Sequence, residues 1–140
     1  VDPDAVFLPL VLKEHLKRVA PARGSKLYLL NCKASFKLFG ALEVFSRQAM
    51  EAYFEGIGHC RDTLPWEQWG EDLWMRRCMD LLNVSHKEDF GLLSDAYCGA
   101  KPSPCVSGQA AFHPFKASET YFQCWKEATS ATKSARHLRG

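Results

Sequence analysis

Six cysteines constrain the fold of this 140-residue chain more than any other feature of its sequence. None of them belongs to a CxxC pair, which argues against a zinc ribbon or a thioredoxin-type redox site. An even number of dispersed cysteines predicts disulfide bonds and an oxidising compartment, with six reduced, buried thiols as the alternative. Cys98 and Cys105 bracket the loop GAKPSP, and we expect a short disulfide between them.

Bulk composition excludes several classes of protein. The chain has the length of one domain, and its formal net charge of +2 gives no sign of a nucleic-acid partner. No apolar run approaches the ~20 residues of a membrane-spanning helix. The triplet from Asn83 to Ser85 is an N-glycosylation sequon, which is usable only in the secretory pathway.

Short apolar runs alternate with amphipathic segments along the chain. We predict four helices, in PLVLKEHLKRV, RQAMEAYFEGI, EDLWMRRCMDLLNV and ASETYFQCWKEATSA. Ser46 is expected to cap the second helix and Gly58 to end it. Strand patterns occur in KLYLLNC, SFKLFGALEVFS, GLLSDAYC and QAAFHPF. This alternation predicts an α/β fold, a mixed sheet flanked by helices.

Two carboxylates flank a proline in the opening segment VDPD. In an extended backbone Asp2 and Asp4 project from the same side, and Pro3 favours that geometry at Asp2. Two like charges this close repel each other unless a cation or hydrogen-bond donors offset them. From the pair alone, a solvated turn and a metal site both remain open.

Four stretches, in this order, resemble motifs of GT-A-type glycosyltransferases. They are the DxD-like DPD, the loop and helix start LFGALEVFSRQAM, the helix-opening acidic pair in WGEDLWM, and the late histidine in AAFHPFK. From Val1 to Trp125 the chain resembles the C-terminal half of a GT-A (nucleotide-diphospho-sugar transferase) fold. It is most similar to the fringe-like and core-1-type β-1,3-glycosyltransferases, which use UDP-sugars with inversion. The loop FGALEVFS lacks the paired glycines that are usual there.

The resemblance implies a metal-dependent hexosyltransferase that moves a sugar from a nucleotide-sugar donor to a glycan or glycoprotein hydroxyl. Asp2 and Asp4 would form the Mn²⁺ (or Mg²⁺) site, with Asp4 as a direct ligand and Asp2 directed toward metal-bound water or ribose. His113 would be a further ligand, and an imidazole ligand favours Mn²⁺ over Mg²⁺. Without the resemblance, a histidine placed between Phe112 and Pro114, as His113 is, is more often a core or turn residue.

The resemblance also assigns residues to the donor and the acceptor. Gly40 would approach the donor, and Lys116 would reach its diphosphate unless it is simply a solvated lysine. Asp72 would be the base that takes the proton of the acceptor hydroxyl, and Glu71 would bind or orient the acceptor. Acids in the first turn of a helix are also stabilised by its dipole, by ~0.3–1 kcal/mol, and that effect alone would explain Glu71 and Asp72.

Two tryptophans precede this acidic pair. Trp66 and Trp69 would offer flat faces to a sugar ring, or would serve only in packing. Two other classes of function also stay open. One is an inactive, transferase-like, secreted carbohydrate-binding module, and the other is a metal-dependent phosphohydrolase, which would need further clustered carboxylates for a second metal.

The resemblance makes residues 1–140 a partial catalytic domain, with the nucleotide-binding strands upstream. We therefore expect this piece alone to be inactive and poorly soluble, because an unpaired sheet edge and an apolar face would be exposed. The full-length protein is expected in the Golgi or ER lumen as a type II membrane protein, or secreted. Any membrane anchor would lie upstream of this piece.

Overall fold

The computed structural model describes residues 1–19, 22–98 and 101–137, with the side chains of the last helix described as far as residue 132. Within that part the fold is mixed α/β, in agreement with the predicted class. The helices are α1 (Pro9–Val19), α2 (Arg47–Thr63), α3 (Glu71–Leu81) and α4 (Ser118–His137). The strands are β1 (Val6–Phe7), β2 (Leu27–Leu30), β3 (Ser85–Glu88), β4 (Leu93–Ser94) and β5 (Ala111–Phe112).

The strands form two small sheets. In the first, β5 is central and pairs antiparallel with β1 and parallel with β4. In the second, β2 and β3 run parallel over four residue pairs. The stretches GLLSDAYC and QAAFHPF each contain a strand, as predicted, although each strand is only two residues long. None of the helices in the described residues is long and apolar enough to cross a membrane.

Strand β2 lies between two hydrophobic clusters. Leu27 and Leu29 belong to a cluster with residues of the first sheet, α1 and α4. Tyr28 and Leu30 belong to a second cluster with residues of α2 and α3. Successive side chains of a strand point to opposite faces, so the continuous apolar run LYLL is what a strand buried on both faces requires.

Helix α2 begins where the sequence predicts and ends later. The Ser46 hydroxyl oxygen accepts a hydrogen bond from the Ala49 N–H at 3.1 Å, which confirms the predicted cap. The prediction that Gly58 ends this helix is wrong, because α2 continues to Thr63. A glycine inside a helix costs only ~1 kcal/mol relative to alanine. The last turn offsets that cost by burying Cys60, which is disulfide-bonded to α3.

Most of the segment 35–46 is not the strand that its apolar pattern predicts, although Phe45 near its end forms one antiparallel bridge with Tyr28 of β2. It forms a loop with a short 3-10 turn at Gly40–Leu42. The buried amide of Asn31 explains the difference, since it donates to the carbonyls of Phe39 (2.8 Å) and Leu42 (2.5 Å) and accepts from the Phe39 N–H (2.8 Å). These bonds satisfy backbone groups that a sheet would otherwise pair, so the loop wraps around Asn31.

All six cysteines are paired, as Cys32–Cys98, Cys60–Cys78 and Cys105–Cys124. The first bond joins the end of β2 to the turn after β4, the second joins α2 to α3, and the third ties the loop before β5 to α4. Three disulfides indicate an oxidising environment, either secreted or lumenal.

The expected bond between Cys98 and Cys105 is wrong. Cys98 is buried against Cys32, whereas Cys105 faces α4. Two features lead the chain away from a tight loop at this point. The prolines of the KPSP segment favour an extended backbone. The Ser103 N–H donates to the Ser94 hydroxyl oxygen at 2.7 Å, which aligns the segment along β4.

Candidate functional site

Asp2, Asp4 and His113 lie together at one end of the first sheet. Val6 pairs antiparallel with Phe112, so the residues just before β1 meet those just after β5. His113 Nε2 is 3.3 Å from Asp4 Oδ1 and 4.0 Å from Asp2 Oδ2. The carboxylate of Asp4 is the more sheltered of the two, with 28% of its side chain exposed against 49% for Asp2.

A buried carboxylate contacts the Nδ1 side of the His113 imidazole, opposite the side that faces Asp2 and Asp4. Strands β4 and β5 are parallel, and Ser94 pairs with Phe112, so Asp95 follows β4 beside His113. Asp95 Oδ2 lies 2.5 Å from His113 Nδ1, and its side chain has no exposed surface. A carboxylate at Nδ1 orients the imidazole ring, which turns Nε2 toward Asp2 and Asp4.

The two separations from His113 Nε2 are compatible with ligands of one divalent cation. One nitrogen and two carboxylate oxygens lie within 4.8 Å of one another. Two ligands ~2.1 Å from a cation are ~3 Å apart when they are at right angles and ~4.2 Å apart when they are opposite. Both distances from His113 Nε2 fall in that range. Among the side chains that the structure describes, this is the one group of three such ligands whose atoms lie this close together.

A second acidic group contains Glu43, Glu71 and Asp72. Glu71 and Asp72 open α3, and Asp72 Oδ1 accepts the N–H of Leu73 at 2.7 Å. Burial, then the neighbouring carboxylates of Glu71 and Asp72, raise the pKa of Glu43 from 4.5 to about 8. At neutral pH Glu43 therefore keeps its proton, and the group carries fewer negative charges than its three carboxyls would suggest.

The turn Gly40–Leu42 links the two acidic groups. The Asp2 N–H donates to the Ala41 carbonyl at 3.3 Å on one side. On the other side, a Cβ placed on Gly40 would lie 3.7 Å from Glu71 Oε2. The glycine therefore stands directly against the acidic start of α3. Residues from all four sequence motifs thus converge on one region of the molecule.

Lys116 is one residue beyond a main-chain contact with Asp4. It is exposed and follows Phe115, whose N–H donates to the Asp4 carbonyl at 2.8 Å. The backbone at Lys116 therefore passes near Asp4, and its side chain is exposed to solvent. Its assignment to the diphosphate stays a prediction.

Two residues of this region were missed from the sequence, Asp95 and Glu43. Asp95 follows the apolar run LLS as His113 follows AAF, and two polar residues that end neighbouring parallel strands are brought side by side. This placement of Asp95 beside His113 follows from the sequence only if β4 and β5 are known to pair. Glu43 has no comparable signal, because its burial depends on the loop around Asn31. One of its oxygens, Oε1, is buried without a hydrogen-bond partner in the described part of the chain.

Comparisons with protein-family models, with curated proteins and with solved structures gave no match.

Replacement of Glu43 by Gln is expected to change how stability depends on pH. An acid with a raised pKa keeps its proton in the folded chain after the unfolded chain has lost it. The contribution of Glu43 to the free energy of unfolding therefore falls between pH 4.5 and about 8, with a slope of up to ~1.4 kcal/mol per pH unit. Glu43→Gln should lack this fall and gain on the wild type as the pH rises.

Urea denaturation followed by tryptophan fluorescence at several pH values between 5 and 9 measures this difference. Glu55→Gln, at an exposed position of α2, is the control and should follow the wild-type pH dependence. A Glu43→Gln curve parallel to that of the wild type would contradict the raised pKa of Glu43.

Proposed function

We propose that this chain is part of the catalytic domain of a GT-A-type, metal-dependent glycosyltransferase. In this proposal it moves a sugar from a UDP-sugar to a hydroxyl of a glycan or glycoprotein, with inversion. The observation that carries the proposal is the meeting of Asp2 and Asp4 with His113, from opposite ends of the chain. The acidic start of α3 lies on the other side of the same turn, at Gly40.

On the donor side, Asp4 and His113 would bind Mn²⁺, with Asp2 directed to metal-bound water or ribose. The ion would act as a Lewis acid on the departing diphosphate. Asp95 is a positioning residue, since one of its carboxylate oxygens accepts the Tyr97 N–H while the other holds the imidazole at Nδ1 and so turns Nε2 toward Asp4. Lys116, exposed beside Asp4, would approach the diphosphate.

On the acceptor side, Asp72 would act as the general base. A base must be ionised before it can take the proton of the attacking hydroxyl. The N-terminus of α3 and the Leu73 N–H stabilise the Asp72 carboxylate, while the protonated Glu43 adds no negative charge beside it. Glu71, which is exposed and adjacent, would orient the acceptor.

Two features support a place for this protein in the secretory pathway. Its three disulfides require an oxidising compartment, and Asn83 of the sequon is exposed just after α3. We therefore propose the Golgi or ER lumen, or secretion, with glycosylation at Asn83.

Calorimetric titration of the full-length protein with UDP in the presence of Mn²⁺ tests the donor side. Asp4→Asn should weaken metal-dependent UDP binding by more than ~100-fold, because even the loss of an outer-shell partner costs ~10–100-fold. Asp62→Asn removes an exposed carboxylate of α2 outside the cluster and should bind as the wild type does. Equal affinities for Asp4→Asn and the wild type would exclude Asp4 as a ligand, and no metal-dependent binding to the wild type would exclude the proposed function.

A further inference from the structure

A cavity of about 280 Å³ opens beside the acidic start of α3. Its walls come from α2, from α3 and from the short turn that precedes α3. Aromatic rings dominate the lining, and two charged side chains interrupt them. The lining includes Tyr53, Arg61, Trp66, Trp69, Glu71 and Trp74. The volume is close to the lower end of the ~300–1,000 Å³ range of ligand pockets, which suits a small ligand.

The walls of this cavity are fixed by contacts within the protein. The Cys60–Cys78 disulfide ties α2 to α3. The indole N–H of Trp74 donates to the Tyr53 hydroxyl at 3.1 Å, and the ring of Trp66 meets that of Trp74 edge to face, with centroids 5.9 Å apart. The rings therefore hold their positions before any ligand arrives, which lowers the entropic cost of binding.

The aromatic surface is partly open to water. Trp66 keeps 43% of its surface exposed although its ring meets that of Trp74. Aromatic rings contribute large apolar contact areas when another group covers them. An indole that is still exposed in a preformed cavity can therefore gain such contacts from a ligand. Arg61 adds hydrogen-bond donors and Glu71 adds acceptors at the same cavity.

A sugar ring matches this combination of surfaces. A pyranose carries an apolar face of C–H groups, which are attracted to the negative face of an indole. Its edge carries hydroxyls that both donate and accept hydrogen bonds, as Arg61 and Glu71 require. The lining carries one positive and one negative side chain, so its charges balance, which favours a neutral ligand over an ionic one.

We propose that this cavity is the acceptor subsite, where one sugar ring of a neutral glycan stacks on Trp66. Its role as an acceptor subsite rests on the transferase function proposed above. Glu71 belongs both to the cavity and to the acidic group that contains Asp72. A glycan bound in the cavity therefore directs the hydroxyls beyond the stacked ring toward Asp72, the proposed base.

Fluorescence titration of the full-length protein tests the cavity apart from the metal. Methyl β-galactopyranoside and methyl β-glucopyranoside are the sugar probes, and N-acetyltyrosine amide represents an apolar side chain of a protein acceptor. EDTA is present and nucleotide is absent, so the result does not depend on Asp4. We expect saturable binding of at least one glycoside, weakened at least ~10-fold by Trp66→Ala and largely restored by Trp66→Phe.

Trp125→Ala is the matched control, because Trp125 is equally exposed, at 44%, but lies on α4. It should leave glycoside binding unchanged. Binding of the tyrosine amide and of neither glycoside would overturn the proposal, as would equal losses in Trp66→Ala and Trp125→Ala. The transferase proposal fails by a different result, which is the absence of metal-dependent UDP binding to a wild type that still binds the glycoside.

Discussion

Replacement of Asp72 by Asn is expected to slow sugar transfer by ~10²–10⁴-fold, the usual contribution of a general base. Asn keeps the size of the side chain and can still accept the Leu73 N–H through its carbonyl oxygen, so the start of α3 should not change. Binding of Mn²⁺ and UDP-sugar should remain close to that of the wild type, because Asp72 is outside the group formed by Asp2, Asp4 and His113.

Initial rates of transfer and donor affinities, measured side by side in the full-length enzyme, check this expectation. Asp4→Asn should lose donor binding, whereas Asp72→Asn should lose turnover alone. Asp62→Asn, at an exposed position of α2, serves as the control for removing one negative charge. If Asp4→Asn and Asp72→Asn gave the same profile, the division between metal ligand and base would be wrong.

Removal of the Cys32–Cys98 disulfide is expected to destabilise the protein by ~4 kcal/mol. The two cysteines are 66 residues apart, and the chain entropy that a disulfide removes from the unfolded state increases with the length of the closed loop. This bond also fixes the turn after β4, whose first residues include Asp95. Its loss should therefore loosen His113 as well as lower stability.

Urea denaturation of the double variant Cys32→Ala with Cys98→Ala measures the effect without leaving a free thiol. The matched variant removes the Cys105–Cys124 bond, whose cysteines are only 19 residues apart, and should lose ~3 kcal/mol. Only the first variant should also weaken metal-dependent UDP binding. A smaller loss of stability for the first variant than for the second would contradict the loop-length argument.

Helices were the part of this fold that could be predicted best from the sequence. Their apolar periodicity and the Ser46 cap are local signals, and α1 and α3 begin where the pattern places them. Strand β3 was missed because all four of its residues are exposed and it carries no apolar alternation. The loop 35–46 was misassigned because a single buried side chain, Asn31, overrides an apolar pattern that is typical of a strand.

The group formed by Asp4 and His113 was suggested by the sequence, whereas the environment around Glu43 was not. The convergence of Asp4 with His113 depends on a pairing between β1 and β5 that no local pattern reveals, and only the resemblance to glycosyltransferases suggested it. The protonated state of Glu43 and the pairing of Cys98 with Cys32 depend on tertiary burial. Both lie beyond what spacing along the chain can indicate.

Main-chain groups hold the acidic pair in position. The Asp2 N–H donates to the Ala41 carbonyl, and the Phe115 N–H donates to the Asp4 carbonyl. Peptide groups are the same for nearly every amino acid, so evolutionary drift at positions 41 and 115 can leave both carboxylates where they are. In a saturation library, we expect position 115 to tolerate many residues of suitable size but not proline, which would remove the N–H that Asp4 accepts.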